Sequence, residues 1–254
     1  HRSLYRASSR IPAGDIGKLS GGNFSARLFC KQLGETPTTQ KDMTQETAVK
    51  DLDAHAAAAW EFFRSMGSPK LHVAPMVDQS ELAFRQLCRK YGATCAYSPM
   101  LHSRLFMEDA KYRAEHFTTC EGDRPLLVQF CANDPKTLLS AAKLVEGHCD
   151  GVDLNLGCPQ RIAKRGNYGA FLMDDLPLVK SLVEELYQNL NTPITVKIRK
   201  FAELDKTIAY AKMLESAGAS ILAIHGRTRE QKDASKVWAD WDTIKAVKAA
   251  LKIP

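Results

Sequence analysis

From Pro69 to Pro254 the chain alternates short apolar runs with helical segments, and that alternation decides most of what it can become. Six runs read as strands: Leu71–Pro75, Cys95–Pro99, Leu126–Cys131, Gly151–Leu154, Ile194–Ile198 and Ile221–His225. Their mostly apolar make-up suits strands covered on both faces. The stretches between them carry helix punctuation. Asp78 with Glu81 makes a capping box ahead of Leu82–Tyr91, and Gly92 closes that helix. Asp134-Pro135 sets an N-cap before a proline at the first helical position. Asp205 opens and Gly218 closes another helix, and Trp241–Leu251 reads as one more. Strands and helices in alternation mean an α/β protein with a parallel sheet. Such a sheet is either open and doubly wound or closed as a barrel of eight. No Gly-x-Gly-x-x-Gly follows the first strand, which counts against a dinucleotide-binding open sheet. Six units fill about three-quarters of the ~250 residues of a (β/α)8 barrel. The expected fold is therefore an α/β (β/α)8 TIM barrel over residues 69–254, truncated after about six βα units.

Residues 1–68 read differently. Positions 1–33 hold six Lys/Arg against one acid, Asp15, with much Ser and Gly and no apolar periodicity. Organelle transit peptides have that composition, and so do disordered basic tails. The expectation is a basic, disordered N-terminal extension with a short helix through Asp53–Phe63, packed on the domain that follows. His stands first where an initiator Met would, so the true start is expected upstream. No run approaches the roughly 20 apolar residues of a membrane span, and no membrane partner is expected. Seven cysteines, without Cys-x-x-Cys or Cys/His spacing, read as a reduced, intracellular protein with no metal. The expected compartment is the cytoplasm or nucleus, unless the N-terminus targets an organelle. A net charge of +6 is compatible with a polyanionic partner without proving one.

In a barrel, chemistry gathers where strands end at their carboxyl side. Those positions supply Pro75 and Met76 with Asp78 and Gln79; Ser98, Met100 and His102; Gln129; Asp153, Asn155 and Cys158; Lys197 and Arg199; and His225, Arg227 and Arg229. Gln129, Lys197 and His225 break otherwise apolar strands, at a cost of about 1–3 kcal/mol each unless satisfied. Singly they have bland explanations: a satisfied core amide, a snorkelling lysine, a core histidine. Together on one rim they point to a polar, anionic ligand, and so to a cofactor. The most informative stretch is DLNLGCPQRIAKRGNYGAFL, residues 153–172. Asn155 and Cys158 come straight off a strand, and Pro159 fixes the chain after the thiol. Gly157, Gly166 and Gly169 allow a loop that approaches a ligand closely. Arg161, Lys164 and Arg165 are uncompensated, because no acid lies between Asp153 and Asp174. A thiol keeps its proton at neutral pH, so it can act as a general acid as well as a nucleophile. A nucleophilic Cys158–His225 pair would leave Gln129 and Lys197 without a purpose. Cys88, Cys95, Cys131 and Cys149 read as buried small hydrophobes.

On these residues the chain from about Leu71 onward resembles the tRNA-dihydrouridine synthase family. The resemblance rests on VAPMVDQSELAFR, RPLLVQFCAND and above all DLNLGCPQRIAKRGNYGAFL, with TVKIR and AIHGRTREQK in the same order. VDQSE, YGAFL and REQK look most like the eukaryotic branch acting on positions 16 and 17 of the tRNA D-loop. The resemblance implies an FMN-binding barrel followed by a helical RNA-binding domain, with FMN held tightly and NADPH or NADH as reductant. It implies that Pro75, Met76 and Val77 line the isoalloxazine, that Gln129 and Lys197 hydrogen-bond it, and that His225 faces it. Asn155 and Arg199 fall where the family holds the flavin and the target base, and Cys158 matches the catalytic cysteine. Arg161, Lys164, Arg165 and Arg227 are then tRNA contacts. The implied reaction adds hydride at uracil C6 and a proton from Cys158 at C5, with Lys197 and Arg199 suited to the enolate charge. The family's FMN-phosphate segments would lie beyond Pro254, so this chain alone is expected to bind FMN poorly and to be inactive. Two other readings stand beside this one: another FMN-barrel oxidoreductase acting on a small pyrimidine-like molecule, and a non-catalytic RNA-binding remnant.

Overall fold

The computed structural model describes residues 48–254 apart from Ala234. The basic stretch 1–33 and the question of targeting lie outside the described residues. All six expected runs form strands, and all pair in parallel: β1 (His72–Val73), β2 (Cys95–Tyr97), β4 (Leu126–Cys131), β5 (Gly151–Leu156), β6 (Ile194–Ile198) and β7 (Ile221–Ile224). An additional two-residue β3 (Leu101–His102) pairs with the far end of β4. The order β1-β2-β4-β5-β6-β7 follows the chain without a reversal. A doubly wound sheet must reverse at a switch point, so of the two closures the barrel type holds, here as an open half-barrel.

The register sets the site. Gln129 lies beside Asp153, Asp153 beside Thr195, Asn155 beside Lys197, and Lys197 beside Ala223. Side chains alternate between the two faces of a strand. Val152, Leu154 and Leu156 therefore share a buried cluster with helical Leu138, Leu182, Leu186 and Leu214, while Asp153 and Asn155 project to the other face.

The helices explain themselves locally, with two corrections. α5 (Pro135–Lys143) is capped as expected: Asp134 Oδ1 accepts from Thr137 N at 2.8 Å. α8 (Leu204–Ala217) ends at Gly218 with φ +114°, a conformation that costs other residues strain. Glu203 takes its N-cap, so Asp205 sits in the first turn rather than ahead of it. The capping box before α2 (Leu82–Lys90) does not form. Asp78 takes φ +59° inside a turn whose Ser80 hydroxyl donates to Met76 O at 3.0 Å and accepts from Met76 N at 2.9 Å. That turn folds back on the segment after β1, and Glu81 is left at the N-cap without a side-chain bond. Helices α3 (Ser103–Glu108), α4 (Ala110–His116) and α7 (Leu176–Asn189) fill stretches to which no expected element corresponds. α9 (Trp241–Ala250) follows β7.

The helix expected through Asp53–Phe63 is α1 (Leu52–Ser65), capped by Asp51. It packs Ala56 and Ala59 into the main core. His55 Nε2 lies 2.9 Å from Ala219 O, Trp60 Nε1 donates to Lys252 O at 2.7 Å, and Lys252 pairs with Asp53 at 2.6 Å.

Among the described residues one ion pair is wholly enclosed. Arg85 and Asp123, 1% and 0% exposed as side chains, meet at 2.6 Å. Arg85 also donates to Ser80 O at 2.7 Å and to Thr118 O at 2.8 Å. Arg89 adds a second cation, its Nε 3.3 Å from Asp123. The pair thereby fixes α2, and through Ser80 the turn on Met76, to the segment leading into β4. Among the described residues no helix is long and apolar enough to cross a membrane, and no three His, Cys, Asp or Glu side chains gather as a metal site.

Candidate active site

A ladder of polar side chains runs across β4, β5 and β6 on one face of the sheet. Gln129 Nε2 donates to Asp153 Oδ2 at 2.7 Å, and Thr195 Oγ1 donates to Asp153 Oδ1 at 2.6 Å. Asn155 Nδ2 donates to Gln129 Oε1 at 2.8 Å. Asn155 Oδ1 in turn accepts from Gly157 N at 3.1 Å and from Cys158 N at 2.9 Å. Each bond fixes the next amide's orientation, so the backbone of Cys158 is set, through Gln129 on β4 and Asn155 on β5, by the Asp153 carboxylate. Burial pushes Asp153 up to about 6, against the pull of Thr195, Gln129 and Lys197.

Gln129 is fully buried and spends its amide on these protein partners. Thr195 was not among the expected site residues. Its signal was present: it is polar inside Ile194–Ile198 and lies two positions before Lys197, hence on the same face.

Lys197 is the opposite case. Burial lowers its pKa, with Arg199 adding to the effect, yet its ammonium has no hydrogen-bond or ion-pair partner among the described residues. Arg199 is spent on shape. Its Nε donates to Gly157 O at 2.7 Å, and its Nη1 donates to Thr228 O at 2.8 Å and Gln231 O at 3.2 Å. It thus ties the cysteine loop to the loop after β7.

His225 and Arg227 belong to that second loop. Arg227 Nη1 lies 2.9 Å from His225 Nε2, and Arg227 Nε donates to Val237 O at 2.7 Å. Burial and the cations Arg199, Lys197 and Arg227 push His225 down to about 4. A neutral imidazole accepting from Arg227 is the consistent state, and it leaves Nε2 unavailable as a base for Cys158. His225 is therefore expected to stay neutral from pH 8 to pH 5. Because its folded value lies below the unfolded one of about 6.5, the unfolded chain binds more protons between those limits. Stability falls as pH drops through that window. NMR titration of the imidazole in the full-length protein checks this, and a midpoint near 6.5 would contradict it.

Cys158 is half-buried beside Met100, Cys131, Tyr168 and Phe171. Of the other expected thiols, Cys95, Cys131 and Cys149 are each raised to about 12 by burial. The stretch after Cys158 is less of a loop than expected. Arg161–Gly166 forms α6, and Gly169–Asp174 forms a 3-10 helix. The glycine at 169 serves the protein's own backbone rather than a ligand. At φ +65° a Cβ there would lie 2.8 Å from Cys158 O and 3.0 Å from Cys158 Cβ, while Ala170 N donates to that same carbonyl at 3.0 Å. Arg161, Lys164 and Arg165 are exposed on α6 with no ion pair among the described residues, unlike Arg227, which is turned inward.

Pro75 and Met76 are half-buried and Val77 is exposed, in the segment that the Ser80 turn holds. His102, at the end of β3, meets Tyr168 edge-on at 5.8 Å and leaves its buried Nδ1 without a partner. The arrangement fits a polar, planar cofactor. A desolvated, unpaired ammonium, an orienting amide and an orphaned ring nitrogen are groups that a ligand with acceptor edges and one negative charge would complete.

A family model described as Dihydrouridine synthase (Dus) matches residues 72–254. The NAD(P)(+) tRNA-dihydrouridine(16/17) synthase of Saccharomyces cerevisiae is 56% identical over 188 residues, 73% of this chain and 44% of that protein. A rat protein named as a tRNA-dihydrouridine(16/17) synthase-like protein is 52% identical over 77% of this chain and 45% of its own length. A human tRNA-dihydrouridine(20a/20b) synthase-like protein is 40% identical over 71% and 57%. The chain spans about half the length of these relatives.

Proposed function

Because this chain belongs to the dihydrouridine synthase family, we propose that it carries the catalytic half of an NAD(P)H-dependent flavoenzyme that reduces uridine to 5,6-dihydrouridine in tRNA. The target is the D-loop at positions 16 and 17. The fall in identity from 56% to 40% between relatives named for 16/17 and for 20a/20b supports that choice. The observation that carries the reading is the seat of Cys158, its N–H held by Asn155, which Gln129 and Asp153 orient in turn.

In this reading Pro75, Met76, Val77, Asn155, Lys197 and His225 hold FMN, and Gln129 steadies Asn155 from beneath. A flavin bound there supplies hydride chemistry, with the electrons drawn from NADPH or NADH. Everything else falls to the chain. Reducing the uracil C5=C6 bond takes a hydride at C6 and a proton at C5; the Cys158 Sγ–H bond breaks as the proton goes to C5, and solvent restores the thiol. Charge developing towards uracil O4 is met by Lys197 and by Arg199, whose Nη2 is left over from its backbone bonds. The target base must leave its stack to reach the rim. Arg161, Lys164 and Arg165 contact the flanking phosphates, and Arg227 acts from the second loop. The compartment is one that holds tRNA inside the cell.

The test is dihydrouridine mapped at each D-loop position of total tRNA from cells lacking the full-length gene. Loss confined to positions 16 and 17, reversed by the gene, supports the assignment. Unchanged tRNA, in the absence of a redundant paralogue, overturns it.

A further inference from the structure

Beside the rim lies a cavity of about 510 Å³, lined by Lys164, Phe171, Asp174, Arg229, Glu230 and Lys232. None of Gln129, Asn155, Cys158, Lys197, Arg199 or His225 lines it. The volume falls within the range that takes a small organic ligand. Its walls are of three chemical kinds. The Arg229 guanidinium lies 5.3 Å from the Phe171 ring centre, giving a flat aromatic and cationic wall. Asp174 and Glu230 both pair with that same guanidinium, at 2.6 Å through Nη1 and 3.1 Å through Nε. Lys164 and Lys232 are exposed and pair with no acid among the described residues.

A flat wall, carboxylates able to accept from N–H edges, and two free ammonium groups match a nucleotide: a base to stack, donors on its edge, and a phosphate. Unstacked RNA bases are recognised in this way, on aromatic faces and guanidinium planes. We propose that this cavity, resting on the reading above, receives an unstacked RNA nucleotide next to the uridine being reduced. RNA is favoured over the dinucleotide reductant by what adjoins the cavity. Lys164 sits on α6 one turn from Arg161 and next to Arg165, so the lysine at the cavity mouth belongs to an exposed cationic row on one helix face. A row of that kind follows a continuous phosphate backbone.

The placement also gives the cavity a lever on chemistry. Its Phe171 and Asp174 lie in the 3-10 helix whose Gly169 and Ala170 pack on Cys158, and Arg229 Nη1 reaches Ala170 O at 3.4 Å. A nucleotide filling the cavity therefore presses on the segment that backs the cysteine.

The experiment uses the full-length flavin-loaded protein and unmodified tRNA transcript. Lys232→Glu, on an exposed side chain, is expected to raise KM for tRNA about ten-fold with kcat within about two-fold. It should also flatten the salt dependence of binding by roughly one phosphate contact, and Lys232→Arg should restore both. Phe171→Leu, which stays apolar and loses the π-face, is expected to raise the same KM several-fold. An unchanged KM for tRNA in both variants overturns the proposal, as does a rise confined to KM for NADPH, which would assign the cavity to the reductant. If the wild-type protein reduces no tRNA uridine, the functional reading fails on its own. The cavity is then judged by tRNA affinity, where a ten-fold loss in Lys232→Glu supports it and no loss overturns it.

Discussion

Alanine in place of Cys158 is expected to slow uridine reduction by the full-length protein by about 10²–10⁴-fold, the range that a positioned proton donor contributes. Affinity for tRNA should change little. The structure separates the two effects because the Cys158 seat is made by backbone: its N–H bonds to Asn155 and its carbonyl accepts from Ala170. Neither bond needs the sulfur, so the segment should keep its place when the thiol is gone. Cys158→Ser should recover little, since a hydroxyl surrenders its proton far less readily than a thiol. Single-turnover dihydrouridine formation, measured beside tRNA binding, decides the matter. A loss below ten-fold would remove Cys158 from proton delivery, and a parallel collapse of binding would show that the side chain holds the segment in place.

The second large effect is on stability. Asp123→Ala should destabilise the fold by about 3–5 kcal/mol, the usual consequence of leaving one member of a buried ion pair uncompensated. Here two guanidiniums lose their counter-ion, because Arg85 and Arg89 share that carboxylate. In a domain of this size such a loss lowers the melting temperature by roughly 6–20 °C. Thermal unfolding of the full-length protein reads it directly, and a shift under 2 °C would contradict it. The damage should also reach the site. Arg85 anchors Ser80 O, and the Ser80 hydroxyl brackets Met76 in the segment read as a flavin wall.

How far the sequence anticipates this molecule depends on the range of the interactions involved. The six expected strands announce themselves because strands covered on both faces are mostly apolar, and Asp134-Pro135 announces α5 because its cap bond spans three residues. Asp78 misleads for the same local reason. The motif is present, but a turn closing back on Met76 takes the residue to positive φ, and no pattern within four residues shows that. β3 is too short to have a period. In the site, Gln129, Asn155, Lys197 and Cys158 could be picked out as polar interruptions near strand ends. What could not be read is that Gln129 serves Asn155 rather than open space, since that follows from parallel register between strands 26 residues apart. The Arg85–Asp123 pair, 38 residues apart, left no trace in local pattern, and neither did the use of Arg199 as a tie between two loops.

The docking of α1 has a consequence for the order of events during synthesis. Its anchors are Ala219 and Lys252, between 164 and 199 residues downstream of the residues they hold. At 5–20 residues per second, a nascent α1 waits on the order of ten to forty seconds before its partners leave the ribosome. A helix of this length is marginal alone in water, so for that interval α1 lacks the hydrogen bonds and ion pair that fix it to Ala219 and Lys252. The first helix among the described residues is thus among the last to be fully fixed, and until then the nascent chain offers its apolar face to whatever chaperone attends the tunnel exit.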